Sequence, residues 1–136
     1  MEKGIYNCPT SYEKIQAVDG GFEKQVIDED FVIGINCAIC DSDGKQSLLI
    51  NEDNLLSALS IQQWYEDSRS LSAALLRSLC IGHAFQDGNK RTACLVAASI
   101  EPFTCTMQQA EQIVLDIAIG KLKDVEIIKI RLYGDK

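Results

Sequence analysis

Nine consecutive residues, His83 to Arg91, combine the side chains from which a phosphate-transfer site could be built. His83 is the only histidine in the chain, and histidine is the side chain that most readily exchanges a proton near neutral pH. Asp87 follows four positions later and supplies a carboxylate of the kind that binds Mg²⁺ beside phosphates. Gly88 comes next, and a glycine lets a ligand approach the backbone closely.

The start of the following helix supplies an anion site. Asn89, Lys90 and Arg91 are predicted to open that helix, whose N-terminus offers free N–H groups to an anion. Two cations in a first helical turn are unfavourable, because the N-terminal end of the helix dipole is positive. Their presence there favours a bound anion that compensates for the positive charge. A base, a metal-binding carboxylate and an anion cradle together indicate transfer of a phosphate-containing group. The structural alternative is a histidine at a helix end followed by a turn in which Asp87 caps the next helix.

Hydrophobic periodicity predicts that two helices hold this loop. The first ends at Gly82, so His83 follows directly off its buried face. The second ends before Pro102 and is apolar on most sides, so we expect it to be the central, buried helix. The predicted bounds are Ser68 or Ser70 to Gly82, with a stripe of Leu75, Leu76, Leu79 and Cys80, and Asn89 or Lys90 to Ile100.

The rest of the chain is also predicted to be mostly helical, which gives an all-α domain of about six helices. One short helix has a predicted inner stripe of Leu55, Leu56 and Leu59. The segment 44–50 ends in an apolar run that favours a short strand. The remaining helices are predicted to start at Asp28 or Asp30, at Asn51, at a Thr106–Gln109 capping box, and near Asp124.

Composition indicates one folded domain, residues 1–136, with 46% hydrophobic and 24% charged residues. A net charge of −7 argues against direct binding to nucleic acid or to an anionic membrane surface. No apolar leader or membrane-length apolar run is visible, so we expect a cytoplasmic protein with reduced cysteines. Residues 1–27 are mixed in pattern and form an N-terminal extension to which no role is assigned.

Cys37 and Cys40 form a CxxC pair, which is an alternative metal-binding motif. A structural zinc site needs about four ligands, and no second CxxC accompanies this pair. We therefore interpret the two cysteines as thiols packed along one turn of a helix.

The string HAFQDGNKRTA, His83 to Ala93, resembles the Fic/Doc family signature H-x-F-x-(D/E)-G-N-(G/K)-R at all seven specified positions. The helices on either side resemble the central pair of that family, and the tail resembles the last helix of Doc (death-on-curing) toxins. The resemblance covers about residues 28–134 and implies a helical bundle of the Fic/Doc type. Residues 1–27 lie outside it.

The resemblance also implies an activity. Fic proteins move AMP from ATP to a hydroxyl of a target protein, with a histidine base, an acidic Mg²⁺ ligand and a phosphate-binding stretch. Those roles fall here on His83, on Asp87, and on Gly88, Asn89, Lys90 and Arg91. ATP is then the co-substrate and Mg²⁺ the metal.

Two departures from the AMP-transferring pattern resemble the Doc subgroup. Lys90 replaces a second glycine, and Cys94 stands where those members carry another arginine. An ammonium fills room that glycine leaves for a phosphate, and losing an arginine removes bidentate recognition. The resemblance therefore implies a toxin that transfers phosphate from ATP to a Ser or Thr of a target such as elongation factor Tu.

Several expectations about partners follow from the same resemblance. No inhibitory string (S/T)-x-x-x-E-(G/N) occurs, so a cognate antitoxin that folds onto the toxin is expected to restrain it. The family also aligns its target along a flap, often a β-hairpin, and the candidate residues are Gly44, Lys45, Gln46 and Ser47. A plain surface loop is the alternative for this segment. For the whole protein the alternatives are a Fic-type AMP transferase and a catalytically idle binding protein of the same fold.

Overall fold

The structure of the chain, a computed structural model, describes residues 26–135. Residues 1–27, predicted to be an N-terminal extension, lie outside this part except for the last two. No helix of the described part is long and apolar enough to cross a membrane.

Six α-helices make up the described part, which confirms the all-α class. A 3₁₀ helix, Ile61–Trp64, follows the second α-helix and was not predicted. The α-helices are α1 Glu29–Ser42, α2 Glu52–Ser60, α3 Ser68–Gly82, α4 Asn89–Ile100, α5 Met107–Ala118 and α6 Val125–Tyr133.

Five of these helices begin at a polar side chain that accepts a hydrogen bond from the first turn, which satisfies an otherwise unpaired N–H group. Thr106 and Gln109 form the predicted reciprocal capping box at α5. The N-cap of α4 is Gly88, which has no side chain to offer. The capping residues are Asp28, Asn51, Asp67, Thr106 and Asp124.

The central helix is α3, and the expectation that α4 would be central is wrong. Every residue from Ser70 to Leu76 is buried, and the chain packs α2, α4, α5 and α6 around this helix. On α4 only a narrow stripe of Thr92, Ala93, Val96 and Ala97 is buried, whereas Leu95 is 51% exposed. The small stripe residues let α4 approach α3 closely, so α4 contributes one face to the core rather than its whole surface.

The prediction for α2 also fails at one residue. Leu55 and Leu59 are buried as expected, but Leu56 is 46% exposed and Ala58 takes its place in the stripe. The helix is short, and the i, i+3, i+4 spacing from Leu55 selects Ala58 and Leu59. The CxxC cysteines, Cys37 and Cys40, are buried free thiols on α1, as interpreted from the sequence.

The segment 44–50 is a loop that ends in two consecutive bridge residues, Leu48 and Leu49, and Leu49 pairs antiparallel with Phe85. The Ile50 N–H donates to the Ala84 carbonyl at 2.8 Å, and the Gln86 N–H donates to the Leu48 carbonyl at 2.9 Å. No β-hairpin occurs among residues 26–135. The predicted short strand is therefore reduced to the two bridge residues, and Leu49 joins this segment to the loop between α3 and α4.

The two neighbouring leucines of α2 give a direct test of the core. Leu55→Ala leaves a cavity at a position that is 0% exposed and should lower the free energy of unfolding by about 2–5 kcal/mol. Leu56→Ala, its matched control, should cost less than about 1 kcal/mol because the side chain is half in solvent. Urea denaturation measures both changes. Equal losses in the two variants would contradict the assignment of the buried stripe.

Candidate active site

His83 lies at the surface where α3 ends. It is the C-cap residue with φ 49° and ψ 47°, and it is the only described non-glycine residue in the left-handed region. The Nδ2 of Asn54 donates to the Gly82 carbonyl at 2.6 Å and so satisfies one of the carbonyls at this helix end. The left-handed turn directs the chain away from the helix axis and leaves the imidazole exposed to solvent.

Phe85 anchors the loop that follows. Its side chain is 2% exposed and belongs to the hydrophobic core. The Asn89 carboxamide closes the loop over it, because Oδ1 accepts from the Phe85 N–H at 3.0 Å and Nδ2 donates to the Phe85 carbonyl at 2.6 Å. Asn89 is expected as a phosphate ligand, but its carboxamide is already hydrogen-bonded to the loop backbone. Its backbone N–H is therefore the group that could bind an anion.

Gly88 allows the loop to pass close to α1. Its φ of +78° is a conformation that other residues rarely adopt, and the Thr92 N–H donates to its carbonyl at 2.8 Å to begin α4. A Cβ at this position would lie 3.2 Å from Asn36 Nδ2 and 3.3 Å from Ile39 Cγ2. Since no side chain among residues 26–135 caps α4, the described part of the chain leaves the N–H groups of its first turn open to a ligand.

Charged side chains surround this helix start. The Asp87 carboxylate is about half exposed, and its Oδ1 lies 3.8 Å from the Nζ of Lys45 on the 44–50 segment. Arg91 forms an ion pair with Asp43 just after α1, and this hydrogen bond lowers the pKa of Asp43 below its ordinary value. Lys90 is exposed in the first turn of α4. Three cationic side chains, those of Lys45, Lys90 and Arg91, therefore lie near the start of α4.

The four flap residues behave differently from one another. Gly44, at φ +71°, turns the chain after α1, and Lys45 and Gln46 are exposed. Ser47 is buried, and its hydroxyl donates to Asn36 Oδ1 at 2.5 Å. Only the first three therefore have solvent-facing surface for a target.

Sequence reasoning missed Asn36, which contacts the loop, the flap and α4 from α1. Its Nδ2 donates to the Asp87 carbonyl at 2.9 Å and to Thr92 Oγ1 at 3.0 Å. The signal was available in the spacing. Position 36 falls on the buried stripe with Val32 and Cys40, and an amide on an apolar stripe requires internal partners.

The residues present fit a metal that arrives with a phosphate ligand. No group of three His, Cys, Asp or Glu side chains able to hold a metal ion occurs among the described residues. Asp87 is a single, accessible carboxylate beside an anion cradle, and Mg²⁺ is commonly held by one or two carboxylates together with substrate phosphates and water. Asp87 would therefore hold Mg²⁺ jointly with a nucleotide and not alone.

A family model described as "Fic/DOC family" matches residues 14–100, more than half of the chain. The chain belongs to the Fic/DOC family. The match begins at residue 14, so the expectation that residues 1–27 lie outside the resemblance is wrong for residues 14–27, and it ends with the last residue of α4. Members of this family are typically transferases that move AMP or phosphate. Comparisons with curated proteins and with solved structures gave no significant match.

Within this Fic/DOC protein the two departures from the AMP-transferring pattern lie on the same helix. Lys90 extends from the first turn of α4 into solvent, whereas Cys94 is partly buried one turn later. Burial raises the pKa of the Cys94 thiol, so this position carries no charge at neutral pH. The cradle therefore has an ammonium at its rim and no second guanidinium behind it.

Gly88 and Gly44 make a matched pair for testing the close approach of the loop to α1. Both have positive φ, but a Cβ at Gly44 would meet nothing within 4 Å. Gly44→Ala should cost only backbone strain, about 1–2 kcal/mol. Gly88→Ala should cost a further 1–3 kcal/mol, by order of magnitude, because Asn36 and Ile39 must move. Chemical denaturation gives both values, and equal losses would show that the contact with α1 is unimportant.

Proposed function

We propose that this protein is a Doc-like toxin that transfers the terminal phosphate of ATP to a Ser or Thr hydroxyl of a target protein. The observation that carries the proposal is the pairing of an exposed imidazole, His83, with the exposed carboxylate Asp87 and the uncapped start of α4 at the other end of one short loop. This arrangement offers a base on one side of the loop and a binding site for phosphates and metal on the other.

The proposed reaction is a direct phosphoryl transfer. His83 accepts the proton of the target hydroxyl as its oxygen forms a bond to the γ-phosphorus, and the bond to the β–γ bridging oxygen breaks to release ADP. The N–H groups at the start of α4, with Arg91 and Lys90, would hold the phosphate oxygens. Mg²⁺, when bound at Asp87 with the nucleotide, neutralises phosphate charge.

Lys90 and Cys94 favour phosphate transfer over AMP transfer. The Lys90 ammonium is a compact charge at the rim of the cradle, and the uncharged Cys94 offers no bidentate contact to a second phosphate. Both features favour a nucleotide held with its terminal phosphate at the reacting end. AMP transfer is the alternative, because His83, Asp87 and Arg91 are common to both reactions.

The proposed setting is that of a toxin–antitoxin pair in the cytoplasm, with a translation factor such as elongation factor Tu as the target. Lys45 and Gln46 would face the target segment, since both are exposed and Lys45 lies beside Asp87. A separate antitoxin would restrain the enzyme. The net charge of −7 supports a protein target over nucleic acid or an anionic membrane.

A catalytically idle binding protein is the other candidate. The observation in its favour is that Arg91 and Asp87 each face an opposite charge of the chain itself, Asp43 and Lys45. Both pairs are exposed, and exposed ion pairs contribute little to stability, so a phosphate and a metal can compete for these groups.

ATP that carries distinguishable labels at the α- and the γ-phosphate tests the reaction. The purified chain is incubated with this ATP and a cell extract. We expect the γ-label on a protein target and no α-label, with a loss of at least about 100-fold in His83→Ala, because general-base catalysis typically contributes that much. His83→Asn is the matched variant, since asparagine tolerates the left-handed conformation but cannot act as the base.

Transfer of the α-label would assign the protein as an AMP transferase. Labelling that is unchanged in both His83 variants would exclude His83 as the base. Circular dichroism and thermal unfolding of the variants confirm that the fold is retained, and no label in any protein favours the idle binding protein.

Asp43 should compete with nucleotide phosphates for Arg91. Asp43→Asn removes the charge that holds the guanidinium, so the affinity for ATP should rise several-fold by calorimetry. Asp41→Asn is the control, because it removes the same charge at the end of α1, where Asp41 is not the partner of Arg91. Equal gains in the two variants would attribute the effect to overall charge and would contradict the competition.

A further inference from the structure

Asn36 has four hydrogen bonds and is 0% exposed. Its Nδ2 donates to the Asp87 carbonyl at 2.9 Å and to Thr92 Oγ1 at 3.0 Å. Its Oδ1 accepts from Ser47 Oγ at 2.5 Å and from Cys40 Sγ at 3.5 Å. An amide has two N–H donors and two oxygen lone pairs, so this carboxamide is fully used.

Three of these bonds join α1 to other segments of the chain, whereas the bond to Cys40 lies within α1. Asp87 and Thr92 lie 51 and 56 residues from Asn36, on the active-site loop and on α4, whereas Ser47 belongs to the flap segment. Each partner is part of the candidate site or adjoins it. One side chain of α1 thus holds the flap, the loop and the first turn of α4 in a single arrangement.

The hydrogen bond from Asn36 to the Asp87 carbonyl affects the geometry of the candidate site directly. It fixes the peptide group between Asp87 and Gly88, and this peptide sets both the direction of the Asp87 side chain and the start of α4. Gly88 lies against the same amide, where a Cβ would be 3.2 Å from Asn36 Nδ2. A loop held by a buried, fully bonded group has few alternative positions, since any shift leaves a polar atom unpaired.

We infer that Asn36 is a positioning residue, which acts through Asp87 and α4 to hold the metal-binding carboxylate and the phosphate cradle in register with the flap. Its effect on catalysis rests on the proposed function, but its effect on the loop does not. A misplacement of about 1 Å in an active site can cost about 100-fold in rate. Loss of Asn36 should therefore lower activity far more than an equal loss of stability elsewhere would.

Gln62 supplies a matched control. It is a buried amide, 7% exposed, that bonds to the Ile27 N–H at 2.8 Å and to the carbonyls of Ile27 and Leu59 at 2.9 and 3.0 Å. None of these groups belongs to the candidate site. Gln62→Ala and Asn36→Ala thus each remove one buried carboxamide, and only the second touches the loop.

The first measurement is amide hydrogen exchange in the nucleotide-free protein. Asn36→Ala should speed exchange at the Gln86 N–H, which bonds to the Leu48 carbonyl, at least tenfold more than Gln62→Ala does. Equal changes in the two variants would overturn the inference. If Asn36→Ala does not fold, Thr92→Val removes the hydrogen bond from Asn36 Nδ2 to Thr92 Oγ1 with little change of side-chain shape. This variant should speed exchange at the Gln86 N–H several-fold. No change in Thr92→Val would then overturn it.

The second measurement is the transfer reaction with Mg²⁺ and ATP. Asn36→Ala should lower kcat/KM at least tenfold relative to Gln62→Ala and should raise the Mg²⁺ concentration needed for half-maximal rate. Equal rates in the two variants would reject the positioning role. A wild-type protein that transfers neither label contradicts the proposed function, and the exchange comparison still decides the role of Asn36.

Discussion

Burial of Phe85 is the constraint on which the candidate site depends. A fully buried phenylalanine contributes about 1.5–3 kcal/mol relative to an exposed one, and this contribution holds the middle of the loop in the core. His83 and Asp87, two residues away on either side, then stay at the surface. The Asn89 carboxamide and the bridge to Leu49 bond to the backbone around Phe85, so the loop is fixed from inside the molecule while the candidate side chains stay at the surface.

Three helices, α1, α3 and α4, position the loop. α3 is the buried centre, and α4 packs on it through a stripe of small residues that brings the start of α4 next to the end of α3. α1 lies behind the loop and contacts it through Asn36 and Ile39 at Gly88. The loop therefore connects two helix ends while a third helix limits how far it can move.

The charges near the start of α4 would attract an anion, and the chain's own carboxylates would compete with it. The chain has a net charge of −7, yet Lys45, Lys90 and Arg91 surround the uncapped start of α4. Two of these cations already face carboxylates, and both pairs are exposed to solvent, where screening weakens them. A few cations on an otherwise acidic protein form a local positive rim, which is the charge pattern that the proposed phosphate site requires.

The sequence alone determined the elements whose signals are local. Helix caps such as Asn51 and Thr106 and the end of α3 at Gly82 depend on neighbours within a few residues, and the family signature is itself contiguous. Two predictions from local signals were wrong, the central position of α4 and the burial of Leu56. Apolar residues on a helix do not reveal which of its faces another helix will cover. Only the tertiary structure decided that α3 is central, that Arg91 faces Asp43, and that Asn36 bonds to Asp87. Those contacts join residues about 50 positions apart, and such pairings depend on how the helices pack, which local patterns do not encode.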